Sequence, residues 1–354
     1  MTSKPVLFLL IAGCDGEATR QPAAGSFLAV ASDFATGTYG RFDPLTPSYE
    51  EVGAADADPQ VRVRDGRVFV LGRDGSNVTE LAPADLSVVR QVSVADADGG
   101  GANPHDVCLV GEKAYVLRYD LPSVGVFDAS TWEAVGTVDL SDLADDDGIP
   151  EMESCAVSES GDGPRLWVTV ERLDRAGYFG CAGESFLVEI DPATDAVVDQ
   201  TTLAACNPFA ELRFDDGRLL LAETGAFGAM DGGIEAIDLG TGESSGFVVD
   251  EAALGGDVGA FAVCDAGLAA AIVSDADFNT LLVRFDPADG TVGETLYAPG
   301  GYALTDVECA GDRLVVTDVT VERPGLVLVD PAGQVPPTEP IGTGLPPVDV
   351  IALP

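Results

Sequence analysis

The chain has 354 residues, of which 60 are acidic and 18 basic, giving a formal net charge of −42. Proteins bind nucleic acids and anionic lipid surfaces through Lys and Arg, so this charge argues against both partners, and no nucleic acid is expected. Glycine and proline are frequent and aromatic residues make up 7%, a composition typical of many short strands joined by tight turns.

The first thirteen residues have the layout of a secretory signal peptide. Lys4 supplies a short positive region, residues 5–11 are apolar, and two small residues stand directly before Cys14. The apolar run is too short to cross a bilayer as a helix, which needs about 20 residues. We therefore predict a signal peptide over residues 1–13; an ordinary hydrophobic N-terminus is the alternative.

The segment 10–14, Leu-Ile-Ala-Gly-Cys, resembles a bacterial lipobox, in which the cysteine is acylated and becomes the new N-terminus. The resemblance implies lipidation of Cys14. Residues 14–25 would then form a polar tether of small residues, as their composition indicates. We expect a protein exported to the bacterial cell envelope, in the periplasm or at the cell surface, and held to the membrane by its lipid alone.

A repeat organises the rest of the chain. A strand ends in a hydrophobic residue followed by Asp and often Pro, then a turn and another strand, at intervals typical of one four-stranded blade. Because an Asp carboxylate accepts backbone N–H bonds, it can close such a turn. The anchoring aspartates are Asp43, Asp128, Asp191, Asp238, Asp286 and Asp330, and a seventh repeat around Leu81 keeps the frame without the Asp.

Each anchor is preceded by two strands joined at a glycine turn, seen most clearly over residues 61–70 and 212–221. An Asp-Gly pair between alternating apolar residues is a strong hairpin signal. The C-terminal piece, 348–354, matches only the first strand of a unit, and the N-terminal piece begins at the second strand, from Phe27. Residues 26–354 therefore predict an all-β, seven-bladed β-propeller with four-stranded blades, closed by pairing the two ends of the chain in one blade.

The repeat resembles the YVTN/NHL-like β-propeller repeats of bacterial exported proteins. Residues 185–198 and 325–333 are similar to that family's unit of strand, Asp-Pro turn and strand. The resemblance covers essentially residues 26–354 and implies the propeller fold. It says little about function, because propellers include both binding proteins and enzymes.

One column of the repeat collects acidic residues near the start of each first strand, where the innermost strands of a propeller approach the central channel. Its members are Gln60, Asp106, Glu153, Glu211, Phe261, Asp306 and Asp349. Carboxylates gathered on one axis repel one another unless a cation or protons relieve them. The five acids predict a site for a hard cation such as Ca²⁺. Solvation by channel water, or bonds to nearby backbone N–H groups, is the alternative.

His105 is the only histidine and directly precedes this column. A single histidine cannot build a multi-histidine copper or zinc site. Beside an aspartate it is either a hydrogen-bonded structural residue or a general base. The glycine-rich stretches lie between strands and not before helices, so no nucleotide is expected. No haem is expected either.

The chain is also similar to gluconolactonase- and regucalcin-type hydrolases, propellers that hold a divalent cation in the channel through Glu, Asn and Asp. Asn103, Glu153, Asn207 and Asp306 match those residue types. Those enzymes have six-bladed rings, whereas this chain has seven repeats. The resemblance implies, as an alternative function, a divalent-cation-dependent lactonase or esterase at the channel mouth.

Six cysteines follow Cys14, and an even number in an exported chain indicates disulfides. Cys181 and Cys206 fall in loops of one blade on the face of the channel mouth, and we expect them to pair. Two further sets occupy matching positions on neighbouring inner strands, where they either pair or stay free thiols: Cys108 with Cys155, and Cys264 with Cys309.

The longest insertions, residues 171–184 and 223–233, carry aromatic side chains on an acidic loop face; these side chains either bind a partner or pack beneath the loops. We expect a non-enzymatic binding or scaffold protein that presents this face to an envelope protein or a small molecule, because the sequence contains no complete catalytic constellation. The candidate ligand-binding residues are Gln60, His105, Tyr178, Phe179, Phe227 and Phe261.

Overall fold

The computed structural model describes residues 25–354 with the exception of Asp98, Asp162, Asp265 and Ala266. The described chain forms seven blades of antiparallel strands, and the inner strands of neighbouring blades contact one another around a ring. The predicted seven-bladed β-propeller is confirmed. The signal peptide, Cys14 and all but the last residue of the tether lie outside the described residues, so those assignments stay predictions.

Blades 1 to 4 occupy the first part of the described chain. Blade 1 contains β1 (Phe27–Ser32), β2 (Gly37–Asp43), β3 (Ser48–Ala55) and the last strand, β29 (Pro347–Ala352). Blade 2 contains β4 (Pro59–Arg64), β5 (Arg67–Gly72), β6 (Asn77–Leu81) and β7 (Val88–Ser93). Blade 3 contains β8 (Pro104–Val110), β9 (Lys113–Arg118), β10 (Ser123–Asp128) and β11 (Ala134–Asp139). Blade 4 contains β12 (Met152–Ser160), β13 (Gly163–Val170), β16 (Phe186–Asp191) and β17 (Ala196–Thr202), with a small hairpin inserted, β14 (Leu173–Asp174) and β15 (Gly180–Cys181).

Blades 5 to 7 complete the ring. Blade 5 contains β18 (Arg213–Asp215), β19 (Arg218–Glu223), β20 (Gly233–Asp238) and β21 (Ser244–Asp250). Blade 6 contains β22 (Asp257–Cys264), β23 (Leu268–Ser274), β24 (Thr280–Phe285) and β25 (Val292–Tyr297). Blade 7 contains β26 (Leu304–Ala310), β27 (Arg313–Asp318) and β28 (Gly325–Val329). The short helices are a 3₁₀ turn at Ser141–Leu143, another at Arg175–Gly177, and α1 at Glu251–Leu254.

The outermost strand of blade 7 is irregular. Residues 338–341 take its place: Thr338 N donates to Leu328 O at 3.0 Å, and Leu326 pairs with Ile341 in a single antiparallel bridge. Pro337, directly before this segment, and Pro340, within it, lack the N–H that a longer ladder needs. Blade 7 thus keeps the four-strand plan with a shortened last strand.

The ring closes by pairing the two ends of the described chain. Strand β29 lies antiparallel to β1, with Phe27 opposite Ala352 and Val30 opposite Asp349. Blade 1 is therefore built from both ends of the chain, as the sequence predicted.

Hydrophobic clusters lie between neighbouring blades and hold the ring together. In the described chain each of the seven junctions has its own cluster. The second strand of blade 1, β1, is buried along its whole length, whereas the outer strand of that blade, β3, is largely exposed. Burial of apolar surface stabilises the folded state by about 25 cal/mol per Å². The packing of neighbouring blades against one another is therefore the main source of stability of the fold.

The predicted turns are confirmed. Each of the six anchoring aspartates accepts the backbone N–H of the residue two positions on, at 2.8 to 3.0 Å. At one of them, the Ser130 hydroxyl and neighbouring backbone N–H groups lower the pKa of Asp128 to about 2. At the opposite turns, Asp65 and Gly66 adopt φ of 50° and 70°, the left-handed pair that a tight hairpin turn requires.

Candidate functional site

The starts of the inner strands and the loops between second and third strands meet on one face of the ring, here called the mouth face. A cavity of about 410 Å³ opens there, off the centre of the channel, with walls from blades 5, 6, 7, 1 and 2. Its floor includes the starts of β29, β4, β22 and β26. We call this cavity the mouth pocket.

Five aromatic side chains stand in the wall of the mouth pocket, each on a loop from a different part of the ring. They are also largely exposed to solvent, at Phe34 71%, Phe209 49%, Phe227 67%, Phe278 68% and Tyr302 65%. Clustered exposed aromatics are uncommon on a soluble surface and mark contact sites. The sequence singled out Phe227 alone among them.

Two of these aromatics are held in an unfavourable backbone conformation. Phe34 and Phe278 both have φ of 60°, a region in which bulky residues are rare. Aspartates close both loops: Asp33 Oδ1 accepts Thr36 N and Asp275 Oδ1 accepts Asn279 N, each at 2.8 Å. Asn or Gly would fit either position with less strain, so the phenyl groups contribute something other than stability to these loops.

The predicted acidic column lies at the channel, and arginines lie within it. We call Asp106, Glu153, Glu211, Asp306 and Asp349 the channel ring. The buried guanidinium of Arg62 contacts three of its members: Asp106 at 3.1 Å, Glu211 at 2.8 Å and Asp349 at 3.2 Å. Arg64 and Arg213 add contacts to Asp106 and Glu211.

Backbone amides of neighbouring blades also bind the channel ring. Asp106 Oδ2 accepts Cys155 N, Asp306 Oδ2 accepts Val350 N and Asp349 Oδ2 accepts Val61 N, each at 2.9 Å. These bonds join the inner strand of one blade to that of the next. At these three positions the carboxylates therefore act in part as structural links between blades.

Arginine and burial act in opposite directions on the pKa values of carboxylates in the channel ring. Burial raises the pKa of Glu211, but Arg62 and Arg213 outweigh it and hold that pKa at about 2. Burial, with the adjacent charges of Asp349 and Glu211, raises the pKa of Asp306 well above its usual range.

These contacts bear on the predicted Ca²⁺ site. Within the described residues, no group of three or more His, Cys, Asp or Glu side chains is arranged to hold a metal ion. A Ca²⁺ ion needs six to eight oxygen ligands, and most ring oxygens already accept bonds from arginine or backbone N–H groups. The residues as arranged fit the cation poorly, and Ca²⁺ binding stays a prediction.

A second buried polar cluster lies between blades 3 and 4. His105 Nδ1 bonds Glu153 Oε2, and the imidazole stacks on Tyr119 with ring centroids 4.0 Å apart. Tyr119 donates to Glu171 Oε2 at 2.6 Å. Burial, reinforced by the nearby charge of Glu153, raises the pKa of Glu171 well above its usual range. His105 and Glu153 form a bonded pair at the wall of the channel.

The insertion 171–184 covers this cluster and is fixed at both ends. Arg175 reaches across to blade 3, with Nη1 2.7 Å from Asp120 Oδ1, and its Nε lies 2.6 Å from Glu151 Oε1. The disulfide between Cys181 and Cys206 ties the insertion to the loop before blade 5. The mouth face is thus covered on the side of blades 3 and 4 and open over the mouth pocket.

The expected Cys181–Cys206 pair is a disulfide in the structure, and so are the two sets for which pairing was left open. Cα–Cα distances are 6.0 Å for Cys181 and Cys206, 6.2 Å for Cys108 and Cys155, and 5.6 Å for Cys264 and Cys309. The last two join inner strands of adjacent blades, so the alternative of free thiols is excluded. Disulfides are typical of proteins that mature outside the cytoplasm.

Removing the Cys181–Cys206 bridge is expected to expose the insertion to proteolysis. In the Cys181→Ser/Cys206→Ser variant, trypsin should cut after Arg172 or Arg175 about tenfold faster, because local opening then costs about 1.4 kcal/mol less. Mass spectrometry of timed digests measures the rate. The Cys264→Ser/Cys309→Ser variant is the control. Equal cleavage rates in the two variants would contradict the view that the Cys181–Cys206 disulfide holds this insertion in place.

The residues that the sequence predicts to bind a ligand lie in several different parts of the structure. Gln60 lines both the mouth pocket and a channel cavity of about 90 Å³, and the buried Phe261 lines only the channel cavity. Tyr178, 96% exposed, and Phe179 lie on the insertion, outside the linings of both cavities. His105 lies beneath the insertion. The structure therefore brings Gln60 and Phe227 together with four aromatics that the sequence analysis missed.

No protein-family model and no curated protein matches this chain. Several solved structures share its fold. A putative 6-phosphogluconolactonase from Bacteroides fragilis is 13% identical, with a TM-score of 0.60 over 94% of this chain and 99% of that one. The apo form of AztD from Citrobacter koseri is 12% identical, with a TM-score of 0.58 over 93% and 98%.

BamB from Moraxella catarrhalis is 15% identical, with a TM-score of 0.50 over 88% of each chain. At such identities the likeness shows the fold alone. The protein has the fold of the seven-bladed β-propellers. None of the helices in the described part of the chain has the length and apolar character to span a membrane.

Proposed function

We propose that this protein is a non-enzymatic binding protein of the bacterial cell envelope, anchored by lipid at Cys14, whose mouth pocket takes a small and largely apolar ligand. The mouth pocket, with its five aromatics, is the observation that carries the proposal. Cavities of about 300–1,000 Å³ lined mainly by apolar groups are typical ligand sites. The three disulfides support an exported location.

Hydrolysis has less support in the geometry. Of the four residues matched to hydrolase ligands, Glu153 bonds His105 and Asp306 bonds Val350 N. His105 Nε2 in turn lies 3.2 Å from Asn103 Oδ1, so both ring nitrogens have partners. A general base needs one free nitrogen directed at a substrate. We therefore place binding first and hydrolysis second.

Replacing Phe278 with asparagine is expected to weaken ligand binding without weakening the fold. Asn tolerates a φ of 60°, so the free energy of unfolding should stay equal or rise by about 1 kcal/mol. Affinity for Nile red, a neutral apolar dye, should fall about tenfold, which corresponds to about 1.4 kcal/mol. Fluorescence titration and thermal melting measure the two quantities.

The control is Val321→Asn, which removes a side chain that is 91% exposed and lies outside the mouth pocket. It should leave Nile red binding unchanged. Unaltered binding in a Phe227→Ser/Phe278→Asn double variant, or no binding by the unmodified protein, would refute the proposed pocket.

A further inference from the structure

The mouth pocket has more acidic than basic side chains in its lining, and not every acidic side chain has a cationic partner. Asp58, Asp257 and Asp349 are its carboxylates and Arg73 its one cationic residue among those that line it. Arg73 pairs with Asp58, and Asp349 pairs with Arg62 of the channel at 3.2 Å. Asp257 has no cationic partner in the part of the chain that the structure describes. The pocket wall therefore keeps one carboxyl group without a cationic partner among the described residues.

Asp257 is placed where it can act on a ligand and on the pocket wall. The residue is 7% exposed, and its Oδ2 accepts Gly228 N at 2.7 Å, which fixes the loop that carries Phe227. Its Oδ1 has no hydrogen-bond partner among the described residues. That oxygen is itself buried, so a cation in the pocket would lower the cost of the buried carboxylate through space and not by a direct bond.

The aromatic side chains in the pocket wall also favour a positively charged ligand. The face of an aromatic ring carries partial negative charge and attracts a cation within about 6 Å of its centroid. Several such rings around one cavity are the arrangement that recognises quaternary ammonium groups. The net charge of −42 adds a long-range attraction for cations and repels anions.

We propose that the ligand of the mouth pocket is an organic cation: a quaternary or tertiary ammonium group that carries an apolar substituent. This inference rests on the proposed binding function and specifies its ligand class. The ammonium group lies among the aromatic rings toward Asp257, and the substituent fills the rest of the apolar cavity. An apolar anion of the same size is excluded by the wall charge.

The test compares three probes of similar size on the full-length protein: phenyltrimethylammonium, its neutral isostere tert-butylbenzene, and benzenesulfonate. Each competes with Nile red in a fluorescence titration. The cation is expected to bind at least about tenfold more tightly than the neutral isostere, and the anion not to compete. Added salt should weaken the cation alone.

Two variants separate charge from apolar contact. Asp257→Asn keeps an oxygen for Gly228 N and should reduce affinity for the cation about tenfold while sparing the neutral isostere. Tyr302→Leu keeps apolar surface at an exposed position but removes an aromatic face, with the same expected selectivity. If Asp257→Asn fails to fold, Tyr302→Leu still tests whether the pocket prefers the cation.

The outcomes separate the two proposals. Equal affinities for cation and isostere, with both variants affecting them equally, would overturn the organic-cation inference and leave the apolar pocket standing. Nile red binding without competition from phenyltrimethylammonium would also overturn it. If Nile red does not bind the unmodified protein, the proposed function itself fails.

Discussion

Replacing Arg62 with methionine is expected to lower the free energy of unfolding by about 3–5 kcal/mol. The Arg62 side chain is 4% exposed and contacts carboxylates of three other blades, Asp106, Glu211 and Asp349. Methionine preserves the apolar stem but leaves those carboxylates buried without their main cation. Removing one partner of a buried ion network costs more than the intact network contributes, because the remaining charges are already desolvated.

Urea unfolding followed by circular dichroism measures this loss. The control is Arg323→Met, which breaks a pair with Glu339 whose side chains are 60% and 79% exposed. That change should cost no more than about 1 kcal/mol. A loss below about 1 kcal/mol for Arg62→Met would contradict the assignment of Arg62 as the balancing charge of the ring.

The same variant examines the Ca²⁺ prediction. Calorimetric titration of the unmodified protein with Ca²⁺ should give no stoichiometric heat if Arg62 occupies the place of a cation. In Arg62→Met, Ca²⁺ should raise the melting temperature by partly restoring the missing charge. Stoichiometric binding and a higher melting temperature in the unmodified protein would instead establish the channel ring as a calcium site.

Replacing Glu223 with glutamine is expected to make the protein less sensitive to alkaline pH. Glu223 is fully buried in blade 5, bonded to Ala205 N and adjacent to Glu235. Burial, with the hydrogen bond and charge of Glu235, raises the pKa of Glu223 to about 11. In the unfolded chain a glutamate has a pKa of about 4.3.

The direction of the pH dependence of stability follows from these two pKa values. Between about pH 4.3 and pH 11 the folded state holds a proton on Glu223 that the unfolded state has released, so stability falls as pH rises. Glutamine mimics the protonated carboxyl and removes this loss. At pH 9 we expect Glu223→Gln to be more stable than the unmodified protein by about 1–3 kcal/mol.

Chemical unfolding at pH 7.5, 9 and 10 checks this expectation. The range begins at pH 7.5 because burial raises the pKa of Glu151 and of Glu251 to about 7, so that both are largely ionised throughout it. Glu243→Gln, an exposed substitution in the same blade, is the control and should not alter the pH dependence. A variant with the same slope as the unmodified protein would mean that Glu223 is ionised in the fold.

The fold could be predicted because its signals are local and repeated. The aspartate anchors close turns through bonds to residues two positions away, and Asp-Gly pairs such as Asp65-Gly66 fix hairpins by backbone conformation alone. These constraints act within a few residues and recur in each blade. The position of the acidic column followed from the same register.

The partners of that column were missed although the sequence contains a signal for them. Side chains two residues apart in a strand point to the same face, and Arg62 and Arg213 stand two residues after Gln60 and Glu211. Reading that second position would have placed arginines beside the acids. The mouth pocket had no comparable signal, because Phe34 and Phe278 lie on loops of unequal length and Tyr302 lies on a loop between two blades.

Closure of the ring also determines on which face the described chain enters the propeller. Phe27 lies opposite Ala352, at the end of β29, whereas the mouth pocket uses Asp349 near the beginning of that strand. The chain therefore enters the ring on the face opposite the pocket. Any attachment through the predicted lipid at Cys14 would therefore reach the ring from the end that is farther from the pocket.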